Sequence, residues 1–78
     1  MDTELLKRIT CNPGIFQGKP IIRDMRFKVA DIIGYLAAGM TQEELLNEFP
    51  FLEPGDINAS LLYASEKIDH PTINFNML

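Results

Sequence analysis

At 78 residues the chain can form one small hydrophobic core; its single cysteine excludes an internal disulfide, and the lack of a Cys/His cluster excludes a structural metal. A formal net charge of −4 makes it a poor nonspecific polyanion binder, and no apolar run nears the roughly 18 residues that cross a bilayer. With no leader pattern in front and Cys11 reading as a small hydrophobe in a reducing compartment, a cytoplasmic protein without a membrane partner is expected.

The charge is unevenly spread. Residues 1–28 carry six Lys or Arg against three acids, whereas residues 29–78 carry Lys67 alone against eight acids. Such polarity suits a basic nucleic-acid face, or contact between unlike patches of two subunits. A core this small usually takes added support from oligomerisation, so a homodimer is expected.

In chain order, residues 2–8 read as a short frayed helical turn, with Leu5, Leu6 and Ile9 free to pack. Asn12-Pro13-Gly14 is a strong turn signal, because Pro fixes φ and Gly accepts a positive φ. Gly18-Lys19-Pro20 punctuates the chain again before Ile21 and Ile22, and Met25, Phe27 and Val29 then alternate. The pattern predicts a β-hairpin over residues 9–28. Pro20 cannot donate to a ladder, so its strand is either an edge or begins at Ile21. An edge would offer Ile21, Ile22, Met25 and Phe27 as a dimerisation surface.

From Val29 the period becomes helical. Val29, Ile32, Ile33, Leu36 and Met40 share a face, and Gly39 ends this first core helix near residue 38. Thr41-x-x-Glu44 is a capping box for a second helix, with Met40 and Leu45 as its staple, and Pro50 closes it after Phe49. Pro54 and Asp56 open a third helix with Ile57, Leu61, Ala64 and Ile68 inward, stopped at His70-Pro71. Residues 70–78 alternate polar and apolar like a half-buried strand, and Ile73, Phe75 and Met77 are candidates for β-addition to a sheet edge on a partner.

The fold class is therefore mainly α with a small β part, in a single domain over residues 1–78. An N-terminal β-hairpin segment (9–28) precedes a three-helix core (29–69) and an extended tail (70–78). Three short helices with a Gly39 turn outline a helix-turn-helix, with a plain helical bundle as the alternative. Arg23, Arg26 and Lys28 are candidates for phosphate contact; the competing role is ion pairing with Asp31, Asp56 or a partner subunit. On the third helix Asn58 could read adenine, and Lys67 could attract phosphate.

Catalytic signatures are missing from this pattern. Gly18-Lys19 lacks the upstream spacing and the hydroxyl residue of a nucleotide loop, because Pro20 stands in its place. His70 has no acid or thiol near it in sequence, and Ser60 and Ser65 fall mid-helix. No enzyme activity, cofactor or small-molecule substrate is expected.

The series Asn12-Pro13-Gly14-Ile15, Gly18-Lys19-Pro20-x-Ile22-Arg23-x-x-Arg26-x-x-Val29, Gly39-Met40-Thr41-x-Glu43-Glu44 and Pro50-x-Leu52-x-Pro54-x-Asp56-Ile57 resembles the bacterial family catalogued as domain of unknown function 433. That resemblance spans about residues 8–68. It implies a homeodomain-like helix-turn-helix core, a β segment that pairs subunits, and kinship with VapB-type antitoxins encoded beside a PIN-like toxin. The implied partners are a cognate toxin protein and operator DNA. Two positions depart from the family pattern: Asp24-Met25 stands where Gly-Thr is usual between the arginines, and Glu53 stands where Thr or Ser commonly caps the third helix.

Two functions follow as expectations. One is an antitoxin-like, DNA-binding regulator that binds and neutralises a PIN-like toxin. The other is a protein–protein interaction module that binds no DNA and uses its acidic helical face and strand-like tail.

Overall fold

A computed structural model describes residues 3–69 of the chain. Among these described residues four helices, α1 (Thr3–Leu6), α2 (Val29–Ala37), α3 (Gln42–Glu48) and α4 (Pro54–Ile68), accompany two strands, β1 (Ile9–Thr10) and β2 (Ile21–Ile22). The protein is thus mainly helical with a small two-stranded antiparallel sheet. The predicted tail strand of Ile73, Phe75 and Met77 lies outside the described residues.

The hairpin segment differs from the sequence expectation in its partners. β2 pairs first with β1, Ile9 opposite Ile22 and Thr10 opposite Ile21. Its other side meets the 27–29 segment: the Ile22 N–H donates to Phe27 C=O at 3.0 Å, and the Val29 N–H donates to Pro20 C=O at 3.0 Å. β2 therefore begins after Pro20 and sits between two neighbours instead of forming an edge. Ile21 and Ile22 are both 0 % exposed, one on each face, so neither offers a side chain to a second subunit.

The turn that returns the chain from β2 has two consecutive left-handed residues, Arg23 (φ 42°) and Asp24 (φ 59°), and the Met25 N–H closes it on Ile22 C=O at 2.7 Å. This is the pattern of a type I′ turn, whose twist matches antiparallel strands. Asp is among the few non-glycine residues that tolerate such a φ, which explains how Asp24 can stand at the turn's second left-handed position. The Asp24 N–H also donates to Thr10 Oγ1 at 2.9 Å, fastening the turn to β1.

At Asn12-Pro13-Gly14 the chain reverses in a turn closed by the Ile15 N–H, which donates to Asn12 C=O at 2.9 Å, and Asn12 Oδ1 accepts from the Gly14 N–H at 2.8 Å. The positive φ values expected at Gly14 fall later, on Phe16, Gln17 and Gly18.

The helix ends follow the local code. Gly39 (φ 103°) ends α2 in a Schellman motif, with Met40 N–H to Tyr35 C=O and Gly39 N–H to Leu36 C=O both at 3.1 Å. Thr41 and Glu44 form the reciprocal cap of α3, at 2.9 and 3.1 Å. The core lies where β2, α2, α3 and α4 converge, on Ile22, Val29, Ile32, Leu45, Leu52 and Ile57. Phe27 packs edge-on against Phe49 (4.9 Å) and Phe51 (5.5 Å), closing one side.

Candidate functional site

Two features could carry function: a buried carboxylate at the start of α4 and an open groove between α2 and α4. Asp56 is 0 % exposed yet charged, and its environment shows how it is held. Its Oδ2 accepts from Arg23 Nη2 (2.9 Å) and from the Glu53 N–H (2.8 Å); its Oδ1 accepts from Arg23 Nε (3.1 Å) and Arg8 Nη1 (3.0 Å). Arg23 is thus a bidentate fork on the carboxylate, the geometry in which guanidinium and carboxylate match best. Its Nη2 also donates to Phe51 C=O at 2.9 Å.

Arg8 reaches the same carboxylate from the turn after α1, and also pairs with Glu53 Oε1 at 2.6 Å. Its guanidinium lies across Gly55, where an added Cβ would stand 2.6 Å from Arg8 Cζ. Glycine in the first turn of α4 is what lets the arginine lie flat there. Burial pushes the Asp56 carboxyl upward, but hydrogen bonds from Arg23, the Glu53 N–H and Arg8 together outweigh it and hold the group below the usual carboxylate range. Hydrogen bonds to Glu53 and Asp56 raise Arg8, and the bond to Asp56 raises Arg23, so both stay charged. The cluster ties the N-terminal segment to α4, and every buried polar side-chain atom among the described residues is satisfied.

The second feature is a groove of about 480 Å³ between α2 and α4. Lys19, Lys28 and Lys67 stand around it, and Val29, Ile33 and Tyr63 are among its apolar lining. No acid among the described residues lines it, although acids outnumber cations in the chain. Lys28 Nζ sits 5.1 Å from the Phe16 ring centroid and Lys67 Nζ 5.3 Å from that of Tyr63, which holds both ammonium groups at the surface by cation–π attraction. Gly34 opens the wall from α2; a Cβ there would meet nothing within 4 Å.

The sequence-predicted residues are distributed between these features. Arg23 makes the internal ion pair with Asp56 that was its competing role, so its guanidinium is already engaged. Arg26 is exposed and unpaired among the described residues, while Lys28 and Lys67 belong to the groove. Asn58 is exposed on α4 but nine positions from Lys67, about half a turn out of phase, so the two point to opposite sides of the helix. Met25 and Phe27 pack against the core, as Ile21 and Ile22 do within it. Sequence reasoning missed Arg8, Gly55 and the groove. A glycine between a helix-opening proline and an N3 acid was the available sign that something crosses that turn. Among the described residues no group of His, Cys, Asp or Glu could hold a metal, and no helix is long and apolar enough to cross a membrane.

A small helical domain with a minimal antiparallel sheet, pinned by one buried carboxylate, is the class this architecture defines. The chain belongs to the family described as "Protein of unknown function (DUF433)", which matches residues 9–64. It is 34 % identical over 56 residues to "Uncharacterized protein y4eO" of Sinorhizobium fredii (strain NBRC 101917 / NGR234), covering 72 % of this chain and 25 % of that protein. The chain therefore spans about a quarter of that relative's length. It also resembles the crystal structure of a DUF433 member protein from Anabaena variabilis ATCC 29413, with a TM-score of 0.75 and 29 % identity, over 85 % of this chain and 65 % of that one.

Proposed function

We propose that the chain is a protein-binding module of the antitoxin kind, whose groove between α2 and α4 receives a partner. The carrying observation is how the cations are sorted. Lys7, Arg8 and Arg23 pair with acids of the chain itself, whereas Lys19, Lys28 and Lys67 have no acidic partner among the described residues and surround one apolar groove. Cations kept free around apolar surface are suited to recognition, since their charge steers and orients a partner while the floor supplies burial. The family resemblance makes a PIN-like toxin the partner to try first. Co-expression with the product of the neighbouring gene, followed by co-purification, tests the reading; failure of the two chains to associate at low salt overturns it.

DNA binding as an autoregulating dimer is the second reading. The Gly39 turn between α2 and α3 and the exposed Arg26, unpaired among the described residues, favour it. On this reading α2 to α4 form a homeodomain-like helix-turn-helix, and log K for the upstream DNA falls steeply with log salt. A salt-independent signal, or no binding at low salt with and without the toxin, removes it. Because β2 has neighbours on both sides, a dimer on this reading uses other surface than Ile21 and Ile22, and sedimentation at micromolar concentration decides whether one forms.

A further inference from the structure

We propose that the groove between α2 and α4 binds the apolar ridge of an acidic amphipathic helix of a partner protein, with the flanking carboxylates received by Lys19, Lys28 and Lys67. This rests on the protein-binding reading above and adds the chemistry of the partner. Charge complementarity is the first argument. The chain carries a net charge of −4, yet among the described residues three lysines and no acid stand around this groove, so it is a local reversal of the molecule's own sign.

The apolar floor is the second. Val29, Ile33 and the face of the Tyr63 ring can bury hydrocarbon, and neither aliphatic side chain has a donor for phosphate, so a DNA backbone would satisfy the lysines and leave most of the floor wet. An amphipathic helix satisfies both parts, because its anchors at i, i+3, i+4 and i+7 form a ridge while carboxylates flank it. Shape is the third. Ala30, Gly34 and Ala37 recur at helical spacing along α2, with Ala64 opposite on α4, and side chains this short let another helix approach between them. Tyr63, beneath Lys67, supplies the kind of rigid aromatic that anchors interfaces.

The test uses the full chain and two amidated synthetic peptides of about 18 residues, five helical turns, with the same leucine ridge and either glutamate or lysine flanks. Backbone amide shifts of Gly34, Ala37, Tyr63 and Ala64 are followed by NMR, alongside fluorescence anisotropy at rising salt. The glutamate peptide is expected to shift these amides and to bind at least about tenfold more tightly than the lysine peptide at low salt, the margin shrinking as salt screens it. Lys19→Glu, Lys28→Glu and Lys67→Glu together should invert the preference. Gly34→Leu should fill the groove and abolish binding of either peptide with a melting temperature no lower than that of wild type.

Equal binding of the two peptides, shifts elsewhere on the surface, or retained binding by Gly34→Leu would overturn the proposal. So would random duplex DNA shifting the same amides while the glutamate peptide does not. Concentration-dependent shifts without peptide would give the groove to a second copy, and binding that appears only after removal of residues 70–78 would give it to the chain's own tail; either result overturns it too. If the neighbouring gene product co-purifies equally with wild type and Gly34→Leu, the protein-binding reading stands and only the groove assignment falls.

Discussion

Arg23 Nη2 lies 2.9 Å from Asp56 Oδ2, joining the tip of the type I′ turn to the first turn of α4 across 33 residues of sequence. The carboxylate is wholly buried while both arginines reach solvent. Removing its charge should therefore cost on the order of 3 kcal/mol, at the low end of what breaking a buried pair costs. Asp56→Asn should lower the urea midpoint accordingly without changing the m-value. The pH dependence has a definite sign. Because the folded carboxyl is held below its ordinary value, its stabilisation is complete above the unfolded pKa of about 3.9 and is lost as pH falls through the folded value. Wild type should lose stability in that acid window, and Asp56→Asn should lose less there.

Gly55 and Gly34 make a matched pair. Both lie inside helices, where glycine costs about 1 kcal/mol relative to alanine. Gly34→Ala meets open space and should raise stability by about 0.5–1 kcal/mol in a thermal melt. Gly55→Ala gains helical propensity but makes the end of the Arg8 side chain shift away from its pairs with Glu53 and Asp56, so the gain should shrink or vanish. Combining Gly55→Ala with Arg8→Ala should restore part of the helical gain, which a double-mutant cycle reads directly.

The left-handed φ of Asp24 gives a third prediction. Asp24→Gly should be neutral or slightly stabilising, because relief of strain offsets the loss of a long 3.4 Å contact from Asn12. Asp24→Val, with a branched Cβ in the same conformation, should cost about 1–2 kcal/mol. Equal melting temperatures for the glycine and valine variants would show that the turn does not hold this conformation.

Thr41→Ala removes the hydroxyl that accepts the Glu44 N–H and should cost about 1 kcal/mol. Its backbone N–H and hydroxyl also hold the Glu44 carboxyl below its ordinary value, so the cap contributes most above that ordinary value. Far-UV circular dichroism and chemical denaturation measure both effects.

What was legible in the sequence was local. Thr41 and Glu44 name their own bond, Gly39 names its own termination, and the helical stripe from Val29 to Leu36 gives the buried face. What failed was non-local. Nothing in Ile9 or Thr10 says that β2 will choose them as its main neighbours, and a Pro20 start fits a central strand as well as an edge. Adjacent Ile21 and Ile22 hinted at burial on both faces, since a half-exposed strand alternates. The Arg23 partner lies 33 residues away, and charge counting could not choose between Asp56, Asp31 and another subunit. The groove was invisible because Lys19, Lys28 and Lys67 come from three separate parts of the chain.

The meeting of Arg8, Arg23 and Asp56 bears on cooperativity. Three segments from the beginning, the first third and the last helix must all be in place before the carboxylate is sheltered, so none of them can open alone without exposing the other two. The junction makes the N-terminal segment and α4 one unfolding unit, whose amides should exchange together. It also gives a mostly helical chain the long-range closure that slows folding in proteins of higher contact order.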